Sequence, residues 1–140
     1  MIFVDTSVIV AASHRADFRY RESNEFLSRI RRESASCGAH SLIETFAVLT
    51  GRPRPLRVPI PDALRLIEQA RRLMQVVALS EAEYFDVVLE SANVGRMGGI
   101  IYDALLIACA RKAQAEAIYT WNVRHFRTVS PNLAARILEP

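Results

Sequence analysis

Ile2-Phe3-Val4-Asp5 constrains what this chain can fold into more than any other stretch. Three consecutive large apolar residues suit a strand buried on both faces, and the run ends abruptly in an acid. Thr6-Ser7 form a polar turn, after which Val8 to Ala12 are apolar again and read as a helix. Strand, polar turn and apolar helix are the opening of a parallel α/β sheet. Such sheets bind ligands in the crevice beyond the carboxyl ends of their strands, so Asp5 is expected where chemistry is usually done.

The alternation continues along the chain. Phe26, Leu27 and Ile30 among charges predict an amphipathic helix over 20–33, with Arg31 and Arg32 near its carboxyl end, where cations are favoured. A short strand is predicted over 36–39. Ser41 and Glu44 have capping-box spacing for a helix over 42–50. Gly51 stops that helix, and Pro53 and Pro55 keep 51–55 in a loop. Pro61 opens a helix over 61–74, where its missing N–H does no harm. A third strand is predicted over 76–79, and Ser80 with Glu83 caps a helix reaching 93. Gly95, Gly98 and Gly99 interrupt the chain before a strongly apolar helix over 100–113. A fourth strand follows over 117–120, then an irregular tail with helical character over 133–138. The expected class is α/β: one domain, 1–140, with a parallel sheet of four to five strands sandwiched between helices.

With 140 residues, 51% of them hydrophobic, the chain can bury a full core without staples. No apolar run reaches the roughly 18 residues of a membrane span, and no leader pattern is visible, so a cytoplasmic address is expected. Cys37 and Cys109 read as reduced core thiols. The net charge of +3 is modest, but seventeen arginines stand against the lone Lys112. Guanidinium groups fork onto phosphates, which suits a nucleic-acid partner. Arginine-rich codon usage produces the same composition, so charge alone decides nothing.

Asp5, Glu44 and Asp103 are out of place in the hydrophobic pattern. Asp5 ends a buried strand, Glu44 lies within Leu42-Ile43-Glu44-Thr45-Phe46, and Asp103 falls between Ile100-Ile101-Tyr102 and Ala104-Leu105-Leu106. An unpaired carboxylate in such surroundings is penalised, so each needs a cation, a metal or hydrogen bonds. Singly, each has a local explanation: Asp5 in the following turn, Glu44 in its capping box, Asp103 as a cap of the apolar helix. Together those explanations weaken, because a parallel sheet brings all three to one edge. The fourth strand delivers Asn122 to that edge, just after Thr120 and Trp121. Carboxylate and amide oxygens suit a hard cation, Mg²⁺ or Mn²⁺, and no Cys/His pair has zinc-ligand spacing.

These residues resemble a known family. Phe3-Val4-Asp5-Thr6-Ser7, Ile43-Glu44-Thr45-Phe46-Ala47-Val48-Leu49-Thr50, Tyr102-Asp103-Ala104-Leu105-Leu106-Ile107-Ala108 and Thr120-Trp121-Asn122-Val123-Arg124-His125-Phe126 are similar in order and spacing to the motifs of PIN domains. Within that group the chain resembles the VapC-type toxins of bacterial toxin–antitoxin pairs. The resemblance spans essentially the whole chain and implies a metal-dependent endoribonuclease. It implies that Asp5 and Asp103 hold Mg²⁺, with Mn²⁺ as a substitute, that Glu44 completes the cluster, and that Thr6 and Thr120 support it. Asn122 stands where many relatives carry Asp, and His125 where others place an acid before the Phe, which leaves a second metal ion in question. The implied partners are RNA, a small cognate antitoxin and a second copy of the chain, with the antitoxin docked between the helices over 20–33 and 61–74. RNA contacts are expected from Arg52, Arg54, Arg57, Arg124, Arg127 and His125. Two rivals remain within the family, an RNA-processing nuclease that is no toxin and an inactive PIN binding module. A receiver domain lacks its acidic pair and its lysine here, and a haloacid-dehalogenase-like phosphatase lacks its second Asp, whose place Ser7 takes.

Overall fold

The computed structural model describes all residues from Met1 to Pro140. Five parallel strands form one sheet: β1 (Ile2–Val4), β2 (Ala35–Gly38), β3 (Gln75–Val77), β4 (Ala117–Tyr119) and β5 (Ile137–Leu138), in the spatial order β3-β2-β1-β4-β5. Seven helices connect them: α1 (Thr6–Ala12), α2 (Tyr20–Arg29), α3 (Ala39–Gly51), α4 (Ile60–Leu73), α5 (Glu81–Asn93), α6 (Ile100–Lys112) and α7 (Val123–Val129). In register, Phe3 lies beside Ser36 on one flank and Ile118 on the other, while Ile118 pairs onward with Ile137.

Side-chain alternation along β1 divides the core in two. Phe3 points into a cluster with Leu105, Leu106, Ile107, Ile118, Phe126 and Ile137, under α5, α6 and α7. Val4 points the other way, into a cluster with Val8, Ile9, Ile30, Cys37, Ala70 and Met74, under α1, α2 and α4. Both faces of the sheet are therefore covered, which is why its short strands read as continuous apolar runs. Cys37 and Cys109 are buried free thiols, and burial pushes the Cys37 thiol up to about 12.

Most expected elements are present, and the differences have local causes. The capping box at Ser80 and Glu83 is formed, and Lys112 at the end of α6 adds a 2.6 Å bond to Glu83. That bond and the Ser80 N–H hold the Glu83 carboxyl down at about 2. The box expected at Ser41 and Glu44 is absent. Helix α3 starts earlier, with Gly38 as its N-cap, so Ser41 is already inside it and buried, and Glu44 is free to reach another partner. An added Cβ at Gly38 would sit 2.9 Å from Leu106 Cδ2, so a larger residue there requires the Leu106 side chain to shift. The tail is more regular than expected: α7 follows β4 after three residues, a 3₁₀ turn covers Pro131–Arg136, and Ile137–Leu138 pair as β5 rather than extending a helix over 133–138. The expected helix over 20–33 ends at Arg29, because Ile30 turns extended to enter the core.

Candidate active site

The strand order reverses direction between β1 and β4, so the chain leaves the sheet on opposite sides there and opens a crevice at the carboxyl ends. Asp5 directly follows β1 and Thr120 directly follows β4. The Asp5 N–H donates to the Tyr119 carbonyl at 2.9 Å, fastening the acid to the sheet itself. Helix α6 begins at the same end and carries Asp103 in its first turn, while α3 leaves β2 and presents Glu44. A cleft of about 200 Å³ is lined by Asp5, Thr6, Ser7, Glu44, Asp103 and Asn122, with Arg19 and Tyr102 at its walls.

Asp5 is 2% exposed. Its Oδ2 accepts from the Ser7 N–H at 3.2 Å, the Ser7 hydroxyl at 2.6 Å and the Thr120 hydroxyl at 2.7 Å. Thr120 Oγ1 in turn accepts from the Asn122 N–H at 2.9 Å, and Ser7 Oγ accepts from the Trp121 N–H at 3.0 Å. Thr6 donates to Glu44 Oε2 at 2.8 Å. These bonds occupy one oxygen each of Asp5 and Glu44, leaving Oδ1 and Oε1 available, and Asp103 has both oxygens available. Desolvation raises the Asp5 pKa in spite of its hydrogen bonds, and the negative charge of Glu44 raises it further. Asp103 is pushed up to about 6, first by burial and then by the charge of Asp5, with His125 pulling the other way and Glu44 adding to the rise.

The acids are neighbours rather than a finished cage: no three Asp, Glu, His or Cys groups stand close enough to share one ion as they lie. The cation lining the cleft, Arg19, is already held by Asp17 at 3.0 Å. The donor set fits a hard divalent ion, being made of carboxylate, amide and hydroxyl oxygens with no thiolate or imidazole on the walls.

The basic residues expected at the site fare unevenly. His125 lies near enough to Asp103 to influence it, and Arg52 acts on Asp17, beside Arg19. Arg54 and Arg124 are exposed and do not line the cleft. Arg127 is engaged elsewhere, donating to the Ala134 and Ile137 carbonyls at 3.1 and 2.9 Å to hold the carboxyl-terminal segment, and Arg57 donates to the Arg52 carbonyl. Ser7, Arg19 and Tyr102, the lining residues with polar groups that were not among those expected, join apolar Val10, Val48 and Leu106 on the walls. Ser7 was legible as an Asx-turn partner two residues after an acid, whereas nothing in the local pattern marks Arg19 or Tyr102.

Residues 2–130 match the PIN domain family. Ribonuclease VapC27 of Mycobacterium tuberculosis is 38% identical over 85 residues, which is 61% of this chain and 60% of that relative's length. Ribonuclease VapC40 of the same species is 30% identical over 118 residues, 84% of each chain. Among solved structures, M. tuberculosis VapC20, a toxin that cleaves the sarcin–ricin loop, is similar with a TM-score of 0.73 at 18% identity, covering 91% of this chain and 95% of that one. VapBC-1 from nontypeable Haemophilus influenzae has a TM-score of 0.65 at 18% identity, covering 99% and 98%. At such identities the structural likeness speaks for the fold, and the family match and VapC40 carry the assignment. The chain belongs to the PIN-domain family, in its VapC-type branch.

Proposed function

We propose that this protein is the endoribonuclease toxin of a type II toxin–antitoxin pair, using Mg²⁺, or Mn²⁺ in its place, held by Asp5, Glu44 and Asp103. The observation that carries this reading is three carboxylates in one cleft, none of them ion-paired with a basic side chain and two of them with raised pKa. Bound there, a divalent ion supplies charge neutralisation for the scissile phosphate and makes an attacking water more acidic. The rest of the work falls to the chain. Ser7 and Thr120 fix one oxygen of Asp5 and Thr6 fixes one of Glu44, so the remaining oxygens are held ready at little entropic cost. Asn122 makes no capping bond to α7, so its amide is free to orient a water or a phosphate oxygen. Arg19, on the cleft wall, is placed to meet a phosphate. Arg52, Arg54, Arg124 and His125 extend that contact along the RNA.

A small antitoxin completes the pair. A groove of about 440 Å³ between α1, α2 and α4, lined by Ile9, Ala12, Leu27, Leu66, Leu73 and Met74, takes apolar side chains of such a partner. On α5, Phe85, Val88 and Leu89 leave an apolar strip exposed, which suits a homodimer contact. No helix is long and apolar enough to cross a membrane, and the proposed location is the cytoplasm.

The test is cleavage of single-stranded RNA by purified protein in Mg²⁺. EDTA should stop it, and Asp5→Asn and Asp103→Asn should each lower the rate by about 100-fold or more, since outer partners of metal ligands alone cost about 10–100-fold. Full activity of both folded variants, together with indifference to EDTA, would falsify the metal mechanism.

A further inference from the structure

We infer that Tyr102, held against His40, is a base-stacking platform at the mouth of the carboxylate cleft, taking one unpaired base of the RNA beside the bond that is cut. The inference rests on the nuclease reading above and adds to it the means by which substrate is gripped.

Tyr102 precedes Asp103 in the first turn of α6 and lines the same cleft. Its ring lies nearly parallel to the imidazole of His40 from α3, with centroids 5.0 Å apart and an angle of 10° between planes. A ring serving only to pack α3 against α6 would be buried, yet Tyr102 is 55% exposed and its hydroxyl makes no bond within the chain. Without a bound ion, the cleft beside it is a poor place for a polyanion. Asp5, Glu44 and Asp103 repel phosphate, and Arg19 is the one basic residue on the walls. An aromatic face adds affinity that owes nothing to phosphate charge, since every base has a π-face to stack on it. His40 fixes the ring beforehand, so little side-chain entropy is lost when a base arrives. Because Tyr102 and Asp103 are adjacent, a base stacked on the ring belongs to a nucleotide next to the phosphate that meets the carboxylates. Bases within a duplex are already stacked on each other, so the platform selects unpaired RNA.

The experiment is fluorescence anisotropy of a fluorescein-labelled, phosphorothioate-linked single-stranded oligoribonucleotide of mixed sequence, with Mg²⁺, against the intact protein and its Tyr102 variants. The same oligonucleotide annealed to its complement is measured alongside. Tyr102→Ala and Tyr102→Leu should bind the single strand about tenfold more weakly, and Tyr102→Phe should bind like the parent protein. Duplex binding should be the same in all four proteins. Leu keeps an apolar side chain in place, which guards against a variant that merely fails to fold, and thermal melting confirms the fold of each. Four results overturn the platform: no binding of the single strand by the parent protein, equal affinity of Tyr102→Leu and parent, equal losses on single strand and duplex, or unchanged RNA affinity with impaired binding of a partner protein. Binding that follows the expected order without any cleavage of ordinary RNA would support the platform and count against the nuclease reading instead.

Discussion

Asp103 has no hydrogen bond to either carboxylate oxygen, and its proximity to Asp5 in a desolvated cleft sets its behaviour. A carboxyl whose pKa rises from 3.8 to about 6 on folding binds protons more tightly in the folded than in the unfolded chain. Its contribution to stability is therefore lost as pH rises from about 4 through 6, and the metal-free protein carries that deficit at neutral pH. Asp103→Asn should be more stable than the parent in EDTA at pH 7, by at most about 1 kcal/mol once solvent screening of this half-buried group is counted, with the difference shrinking toward pH 4. Urea melts across that range read it directly, and a less stable Asn variant at pH 7 would contradict the origin given to the shift. Asn122 tests the site from the other side. It lines the cleft without a capping bond, so Asn122→Asp adds a negative ligand and should tighten Mn²⁺ binding, by about tenfold or more, in calorimetric titration. Unchanged affinity would place its side chain away from the ion. The acids were legible because a carboxylate amid apolar residues has few bland explanations. Arg19 was not, since an arginine near an aspartate in a loop looks like any surface ion pair, and its place on the wall depends on how the segment between α1 and α2 folds over Trp121.

Among the elements, α3 is the instructive one. Ser41-x-x-Glu44 has the spacing of a helix start, but the spacing cannot tell whether the helix has already begun, and here Gly38 begins it. Ser80-x-x-Glu83 has the same spacing and forms the box, because the extended segment after β3 leaves Ser80 as the first residue able to cap. Displacing Ser41 from the cap leaves its hydroxyl and that of Thr45 buried with no partner, while Glu44 turns to Thr6. An unpaired buried hydroxyl is a cost that an isosteric methyl removes. Thr45→Val should raise the stability of the protein, by about 1 kcal/mol, without changing cleavage of RNA, as denaturant midpoints at constant slope would show. A destabilised variant would mean that the hydroxyl has a partner in solution. Helix α7 and β5 escaped the sequence reading for a plainer reason: α7 lacks the continuous apolar run that marks α1, two residues are too few for periodicity to register, and both are held by packing of Phe126, Val129 and Ile137 and by the Arg127 bonds to carbonyls.

At the scale of the whole molecule, the class of fold was legible in the alternation of apolar runs and amphipathic helices, but the order of strands was not. Pairing of three-residue strands is decided by contacts distant in sequence, such as Val4 beside Tyr119, and no local pattern encodes them. That order matters, because it puts the carboxylate cleft at the reversal between β1 and β4 and leaves the faces of α2 and α4 on a separate groove. The two recesses share no lining residue, so catalysis and partner binding can be separated by mutation. Leu66 is half-buried on the groove wall of α4, remote in sequence from every acid of the cleft. Leu66→Glu places a charge where an antitoxin would insert apolar side chains, and burying that charge without a partner is strongly unfavourable. The variant should cleave RNA as the parent does, fail to copurify with the product of its cognate antitoxin gene, and remain toxic when that gene is co-expressed. Arrested growth that is still relieved, with the complex intact, would move the partner off this groove and onto another face, the α5 strip of Phe85, Val88 and Leu89 being the next surface to mutate.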